Sequence, residues 1–432
     1  MLVVQKYGGT SVGTLERIRT CAMRCLETQR AATSLVVVVS AMSGETNRLI
    51  ALSNQLLAFG HAVASEAQPN TATWVAPEKS GDHDHERELD QLVSTGEKVS
   101  AALLAMAIQD LGGKATSLVG HQLGLQTDRN FTRARIRTID RERIDRELAS
   151  GRIVVCAGFQ GIDSDGNITT LGRGGSDTSA VALAAALKAA TCEILTDVDG
   201  VYTTDPRIVP GARKIARMTY EEMLELASLG AKVLQIRSVE FAMKYGVRVH
   251  VRSSLNQNEG TWIVPEDNSM ESVVVAGVAL DRNEAKVTVS NVPDVPGTLA
   301  NLFGRLGEAG IVVDMIIQNT SRASAADVTF TVPENELERS VALLRNVPFV
   351  ADGRSGIETD RDICKISIVG VGMRTHAGVA AKAFSLLSSE GINIQMVATS
   401  EIKVSVIVHE RYGELALRAL HDGFGVGTPP SL

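Results

Sequence analysis

The C-terminal part of the chain is written twice, and that repetition limits the fold more than any other feature. Phe303, Leu306, Gly310, Ile311, Val313 and Met315 are matched 81 positions later by Phe384, Leu387, Gly391, Ile392, Ile394 and Met396. Each copy reads strand, helix, strand, strand, helix. The first uses 285–289, 297–309, 311–319, 326–332 and 334–346, and the second uses 364–369, 378–390, 392–400, 402–409 and 412–422. Gly310 and Gly391 stand where a helix ends in a left-handed residue. The pattern predicts two ferredoxin-like βαββαβ modules. The first copy has a candidate sixth strand near 348–352, whereas only the Pro- and Gly-rich tail 423–432 follows the second. Ahead of both copies, 273–279 reads as a strong strand with no local partner. We expect it to complete the second module (273–279 with 362–432), so that the first (280–355) is inserted within it.

Ahead of the repeat, apolar strand-length runs at 2–7, 35–40, 153–159, 193–198 and 247–251 alternate with helical periodicity at 15–28, 97–111, 177–190 and 220–229. Strands apolar on both faces and separated by helices indicate an α/β layer structure with a mostly parallel sheet. This first domain is placed at 1–255, with 256–272 as a linker. Residues 60–89 break the pattern. They are polar, contain Pro69, Pro77, His61, His83 and His85, and read as an exposed loop insertion rather than a metal site.

Composition excludes several classes. With 43 Lys and Arg against 50 Asp and Glu, the net charge of -7 offers no basic excess for nucleic acid or anionic lipid. No apolar stretch is long enough to span a bilayer, and Met1-Leu2-Val3-Val4-Gln5-Lys6 is no leader, so a cytoplasmic protein is expected. The five scattered cysteines (Cys21, Cys25, Cys156, Cys192 and Cys364) form neither a disulfide framework nor a zinc pattern, and no metal ligand set is assigned.

Three loops carry chemistry. Lys6-Tyr7-Gly8-Gly9-Thr10-Ser11 joins the first strand to the first helix. Its glycines let backbone N–H groups approach phosphate, the helix start adds a positive dipole end, and Lys6 adds a charge. Gly172-Arg173-Gly174-Gly175-Ser176-Asp177-Thr178-Ser179 opens another helix. Ser176 or Asp177 can cap that helix. Arg173 offers a planar fork for carboxylate or phosphate, and Asp177 could orient Lys6. Thr196-Asp197-Val198-Asp199-Gly200-Val201-Tyr202, followed by Asp205-Pro206-Arg207, leaves the carboxyl end of a strand, where α/β sheets bind ligands. Tyr202 could pack on a base, with Arg207 and Lys232 supplying charge.

These loops, together with Gly96-Glu97 and Gly158-Phe159, resemble the aspartokinase family closely, and the paired C-terminal repeats look like ACT domains. The resemblance covers nearly the whole chain. It implies an amino-acid-kinase α/β/α sandwich, ATP with Mg2+, and phosphorylation of the L-aspartate side-chain carboxylate to 4-phospho-L-aspartate. That reaction is the first step toward lysine, threonine and methionine. By similarity, Lys6, Glu97, Arg173 and Asp177 are catalytic, and Thr46, Glu97, Arg173 and Ser176 hold aspartate. Lys6, Tyr7, Gly8, Gly9, Ser40, Thr196, Asp197, Tyr202, Arg207 and Lys232 face the nucleotide.

The resemblance also implies feedback inhibition by lysine, threonine or both. Its candidate effector residues are Asp294, Gly297, Asp314, Gln318, Asn393, Ile394, Ser400 and Glu401. The second turn reads His376-Ala377-Gly378 where the first reads Val295-Pro296-Gly297, so the first is the better effector site. A homo-oligomer is expected, or an α2β2 assembly should Met270 serve as an internal start. The rival readings are an amino-acid sensor with a degenerate kinase domain and another carboxylate or carbamate kinase. The presence of Lys6, Glu97, Arg173 and Asp177 favours the enzyme over the sensor.

Overall fold

The computed structural model describes residues 1–31, 34–66, 84–229, 233–267, 274–320 and 325–428. Val-rich segments build the centre of the first compact unit. Val36, Val37, Val38 and Val39 are each fully buried, and β-branched side chains of this kind suit a pleated strand covered on both faces. The strand Ser34–Val39 lies parallel to Leu2–Tyr7 on one side and Ile153–Ala157 on the other. The full sheet has eight strands in the order Arg217–Thr219, Thr261–Val264, Val249–Ser253, Thr191–Thr196, Leu2–Tyr7, Ser34–Val39, Ile153–Ala157 and Ala115–Leu118. Every pairing is parallel except that of Val249–Ser253 with Thr261–Val264. The mostly parallel sheet is therefore as expected. The stretch 256–272, read as a linker, instead contributes the strand Thr261–Val264 to this sheet.

Leu15–Ala31 and Thr95–Asp110 pack with the sheet through Ile18, Cys21, Cys25, Leu104 and Ile108. Gly175–Ala186 is apolar nearly all round and buried from Gly175 to Ala184, as a helix enclosed on every side must be. A small sheet, ordered Ile136–Ile139, Leu125–Thr127, Gln160–Ile162 and Ile168–Thr170, adjoins this unit's cleft. Part of the 60–89 loop is helical. One helix runs Glu45–Glu66 and another Asp84–Val93, while 67–83 lies outside the described residues. Buried Asp90 fastens the second helix by accepting hydrogen bonds from Thr132 N, Thr170 N and Thr170 Oγ1.

The second compact unit holds the repeats and also takes in Tyr202–Arg213 and residues 228–229. Its two sheets have four strands each. One runs Ile316–Thr320, Ala325–Pro333, Glu284–Pro293, Gly356–Asp360, and the other Gly277–Asp281, Ile363–Val369, Lys403–His409, Met396–Thr399. Gly277–Asp281 pairs antiparallel with Ile363–Val369, so a strand preceding the first module sits in the second module's sheet. It begins later than the 273–279 reading, and Val273 and Met270 lie outside the described residues. The expected strand near 348–352 is instead the short helix Pro348–Ala351, because Pro348 at its first position presets a helical φ. The edge strand of that module comes later, at Gly356–Asp360. No helix of the described residues is long and apolar enough to cross a membrane.

Candidate active site

Consecutive strand residues face opposite ways, and the first loop depends on that. Tyr7 points into the core, fully buried, with its hydroxyl donating to Gln5 Oε1 at 3.2 Å. Lys6 points to the other face, where its Nζ lies 2.6 Å from Asp177 Oδ1. Asp177 comes from the first turn of Gly175–Ala186. The pair is nearly buried, at 11% and 10% side-chain exposure, so Asp177 fixes the Lys6 ammonium in place and offsets its desolvation. Gly9 abuts the Ala41 carbonyl so closely that a Cβ there would lie 2.8 Å from the oxygen.

The second loop needs its glycines for backbone reasons. Gly172 and Gly174 have φ of 76° and 70°, the left-handed region that L side chains avoid. A Cβ on Gly174 would also lie 1.8 Å from Gln235 Cγ. Arg173, between them, is exposed and lines the cleft. Arg237 braces the loop by donating to Leu171 O and Ala134 O, both at 2.8 Å. Phe159 is a non-glycine residue at φ 70°, and its N–H donates to Ser179 Oγ. Strain of this kind persists where the surroundings enforce it, and Phe159 lines the cleft.

A cavity of about 310 Å3 brings the two loops together. Lys6, Gly9, Ser40, Thr46, Glu97, Arg173, Ser176 and Asp177 all line it. Glu97 stands in the first turn of Thr95–Asp110 and is 3% exposed. Its Oε1 accepts the Ala41 N–H at 3.0 Å, while Oε2 is buried with no hydrogen-bond partner. Burial pushes its carboxyl up from the ordinary 4.5 to about 7, and the Ala41 hydrogen bond opposes the shift. A buried carboxylate oxygen facing a cavity without a donor is suited to a ligand's cation.

Other sequence-read residues lie elsewhere. Gly8 N–H donates to Leu195 O, which sets this loop beside the end of Thr191–Thr196, where Thr196 and Asp197 follow. Tyr202 and Arg207 belong to the second compact unit, and Arg207 there pairs with Asp205 at 2.7 Å. Lys232 lies outside the described residues. Asp294, Gly297, Asp314 and Gln318 fall on the first repeat module, and Asn393, Ile394, Ser400 and Glu401 on the second. Asp314 forms an ion pair with buried Lys365, and Glu401 approaches Arg374 at 3.5 Å. Sequence reasoning missed Asn47, Phe159 and Gln235 as cleft-lining residues, since none belongs to a glycine-rich or charged run. The Gly158-Phe159 pair beside the second loop was the one available signal.

Residues 1–253 match the model of the amino acid kinase family, and 287–349 and 366–424 each match a model of the ACT domain. The aspartokinase of Pseudomonas aeruginosa is 51% identical over 430 residues, which is 99% of this chain and 98% of that protein. The chain belongs to the aspartokinases. It is by that membership an ATP-dependent aspartate kinase. The crystal structure of E. coli aspartokinase III in complex with aspartate and ADP, described as the R-state, has a TM-score of 0.77 at 27% identity. The match covers 98% of this chain and 99% of that one. The T-state of that aspartokinase, in complex with lysine and aspartate, has a TM-score of 0.72 at 26% identity and covers 98% and 99%.

Proposed function

We propose that the chain transfers the γ-phosphoryl group of ATP to the β-carboxylate of L-aspartate, giving 4-phospho-L-aspartate toward lysine, threonine and methionine. The observation that carries the acceptor assignment is Glu97, whose Oε2 is buried and unpartnered in the cleft. It receives the aspartate α-ammonium. Arg173 takes a carboxylate, with Thr46 and Ser176 as neutral partners. A β-carboxylate oxygen then attacks the γ-phosphorus, the bond from that phosphorus to the bridging oxygen breaks, and its electron pair leaves with ADP. The nucleophile is already ionised, so no general base is required. Positioning and charge neutralisation do the work, and the Asp177-held ammonium of Lys6 is aimed at the phosphates.

Gly8 N–H is committed to Leu195 O, so the phosphate cradle falls to the N–H groups of the turn from Gly9 onward, with Ser40 beside them. Asp197, Thr196, Tyr202, Arg207 and Lys232 are assigned to the nucleotide by family resemblance. Magnesium, implied by the family resemblance, would supply charge neutralisation on the transferring phosphoryl group. Among the described residues no group of three or more His, Cys, Asp or Glu forms a cage for it.

Feedback by lysine, threonine or both at the repeat modules is proposed on the same resemblance, supported by the lysine complex of the E. coli neighbour. The test is ATP turnover with L-aspartate, L-glutamate and N-acetyl-L-glutamate, each with and without lysine and threonine. Aspartate-dependent turnover suppressed by an effector is expected. Amino-acid binding without turnover of any acceptor would replace this reading with a sensor.

A further inference from the structure

Tyr202–Arg213 packs with the repeat modules, although the residues just before and after it, up to Val201 and from Lys214, belong to the kinase unit. It is a closed excursion. At its neck Ile215 N–H donates to Val201 O, and Thr203 N–H donates to Arg213 O, each at 2.8 Å. Beyond the neck, Ile208 and Val209 N–H groups both donate to Asp205 O at 3.0 Å, making one helical turn. Val209 is 4% exposed and belongs to the second module's core with Val278, Cys364, Ile366 and Leu420.

Thr203 is the anchor. Its carbonyl accepts from Val278 N–H at 2.8 Å, on the strand Gly277–Asp281. Its hydroxyl accepts from Arg213 N–H at 3.0 Å and shares a 3.0 Å hydrogen bond with His421 Nε2. That imidazole is 1% exposed, on the helix Gly413–Gly423. Arg418, one turn earlier on the same helix, donates to Ile208 O. The tail closes over the far end of the excursion, where a Cβ on Gly427 would lie 2.9 Å from Gly211 O. A segment covalently continuous with the strand end at Thr196 is thus folded as part of the second module.

We propose that His421 is a positioning residue for the nucleotide. By holding Thr203, it sets the placement of Tyr202 and Arg207, which flank this anchor in the chain. The inference rests on the assignment of those two residues to ATP. Arg207 is 88% exposed at its side chain and, among the described residues, is paired with its neighbour Asp205, so its position follows the backbone of the excursion.

The test is calorimetric binding of ADP to the full chain, with steady-state kinetics alongside. In His421→Leu, which keeps bulk but removes the nitrogen, the ADP dissociation constant rises about five-fold, as befits one buried hydrogen bond. His421→Gln, which restores a side-chain nitrogen, returns it to within about two-fold of the parent. Thr203→Val reproduces the loss, and the double variant is no weaker than either single variant to within about two-fold. The KM for ATP rises in proportion, while the KM for aspartate and kcat hold.

Parental ADP affinity in a folded His421→Leu, additive losses in the double variant, or an equal rise in both KM values would overturn the proposal. Should His421→Leu not fold, Thr203→Val against Thr203→Ser makes the same decision. ADP binding requires no acceptor. Failure of aspartate turnover alone would therefore sink the acceptor reading and leave this one to its own result.

Discussion

The two repeat modules start from matching sequences and finish differently. Both open their first helix on a left-handed glycine, Gly297 at φ 92° and Gly378 at φ 90°, and both close it with another, Gly310 and Gly391. Their helices, Thr298–Glu308 and Val379–Ser389, are equal in length and bury Leu306 and Leu387 completely. Yet the first module takes its edge strand from downstream, at Gly356–Asp360, and the second from upstream, at Gly277–Asp281. Only the second core includes Val209, from the excursion that follows the loop after the strand Thr191–Thr196. A repeat fixes the inner layout of a module, whereas the flanking chain decides which edges close it and what else becomes part of its core.

The largest effect expected breaks that asymmetry. Val209→Asp puts an unpaired carboxylate into the second module's core and costs about 4 kcal/mol or more, read by urea unfolding. A two-state curve at parental stability would mean that the excursion is not part of that core. Leu306→Ala and Leu387→Ala remove matched, fully buried side chains and cost about 3 kcal/mol each. Hydrogen exchange sharpens the comparison, because only Leu387→Ala should speed exchange at the Thr203 and Val209 amides. Equal exposure in both variants would remove the distinction.

A substitution in the cleft provides the contrast. Glu97 accepts an ammonium only when ionised, and burial holds its carboxyl near 7. Aspartate affinity is therefore full above that value and lost as pH falls through it, with KM rising about ten-fold from pH 8 to 6. The free protein shows the opposite trend. Its raised Glu97 pKa makes the folded state hold a proton that the unfolded state releases, so this residue's contribution to stability is lost as pH rises from 4.5 to about 7. Glu97→Gln should flatten the KM profile while leaving both modules' exchange unchanged, and a profile of parental shape would remove Glu97 from aspartate binding.

Gly297→Ala and Gly378→Ala should have the smallest effects. Each costs about 1–2 kcal/mol, because the added Cβ meets no neighbour but disfavours the left-handed backbone. If the first turn is the effector site, only Gly297→Ala blunts inhibition at matched stability.

The architecture was legible where chemistry or periodicity is dense. Alternating apolar runs revealed the parallel sheet, and a strand count that did not balance pointed ahead of the repeat, where Gly277–Asp281 pairs with Ile363–Val369. The second glycine loop could be read because Gly172 and Gly174 occupy backbone regions that other residues avoid, and the first because Gly9 abuts the Ala41 carbonyl too closely for a Cβ. The small mixed sheet was missed, since strands of three or four residues such as Gln160–Ile162 carry too little pattern. Tyr7 was grouped with Lys6 by adjacency, although strand alternation sends it to the core. Gln235 reaches the cleft from a distant helix start, and no spacing rule links it to Gly174. The excursion could not be read either, because Asp205-Pro206 looks like an ordinary turn until Thr203 is seen bonded to His421.

The most direct test of the central claim is hydroxylamine trapping of acyl phosphate in the parent and in Glu97→Gln, with L-aspartate and L-glutamate as acceptors. The account predicts aspartyl hydroxamate from the parent, far less product from glutamate, and about a ten-fold rise in aspartate KM with unchanged ATP KM in Glu97→Gln. Equal trapping with glutamate, or a variant that loses ATP affinity instead, would contradict it.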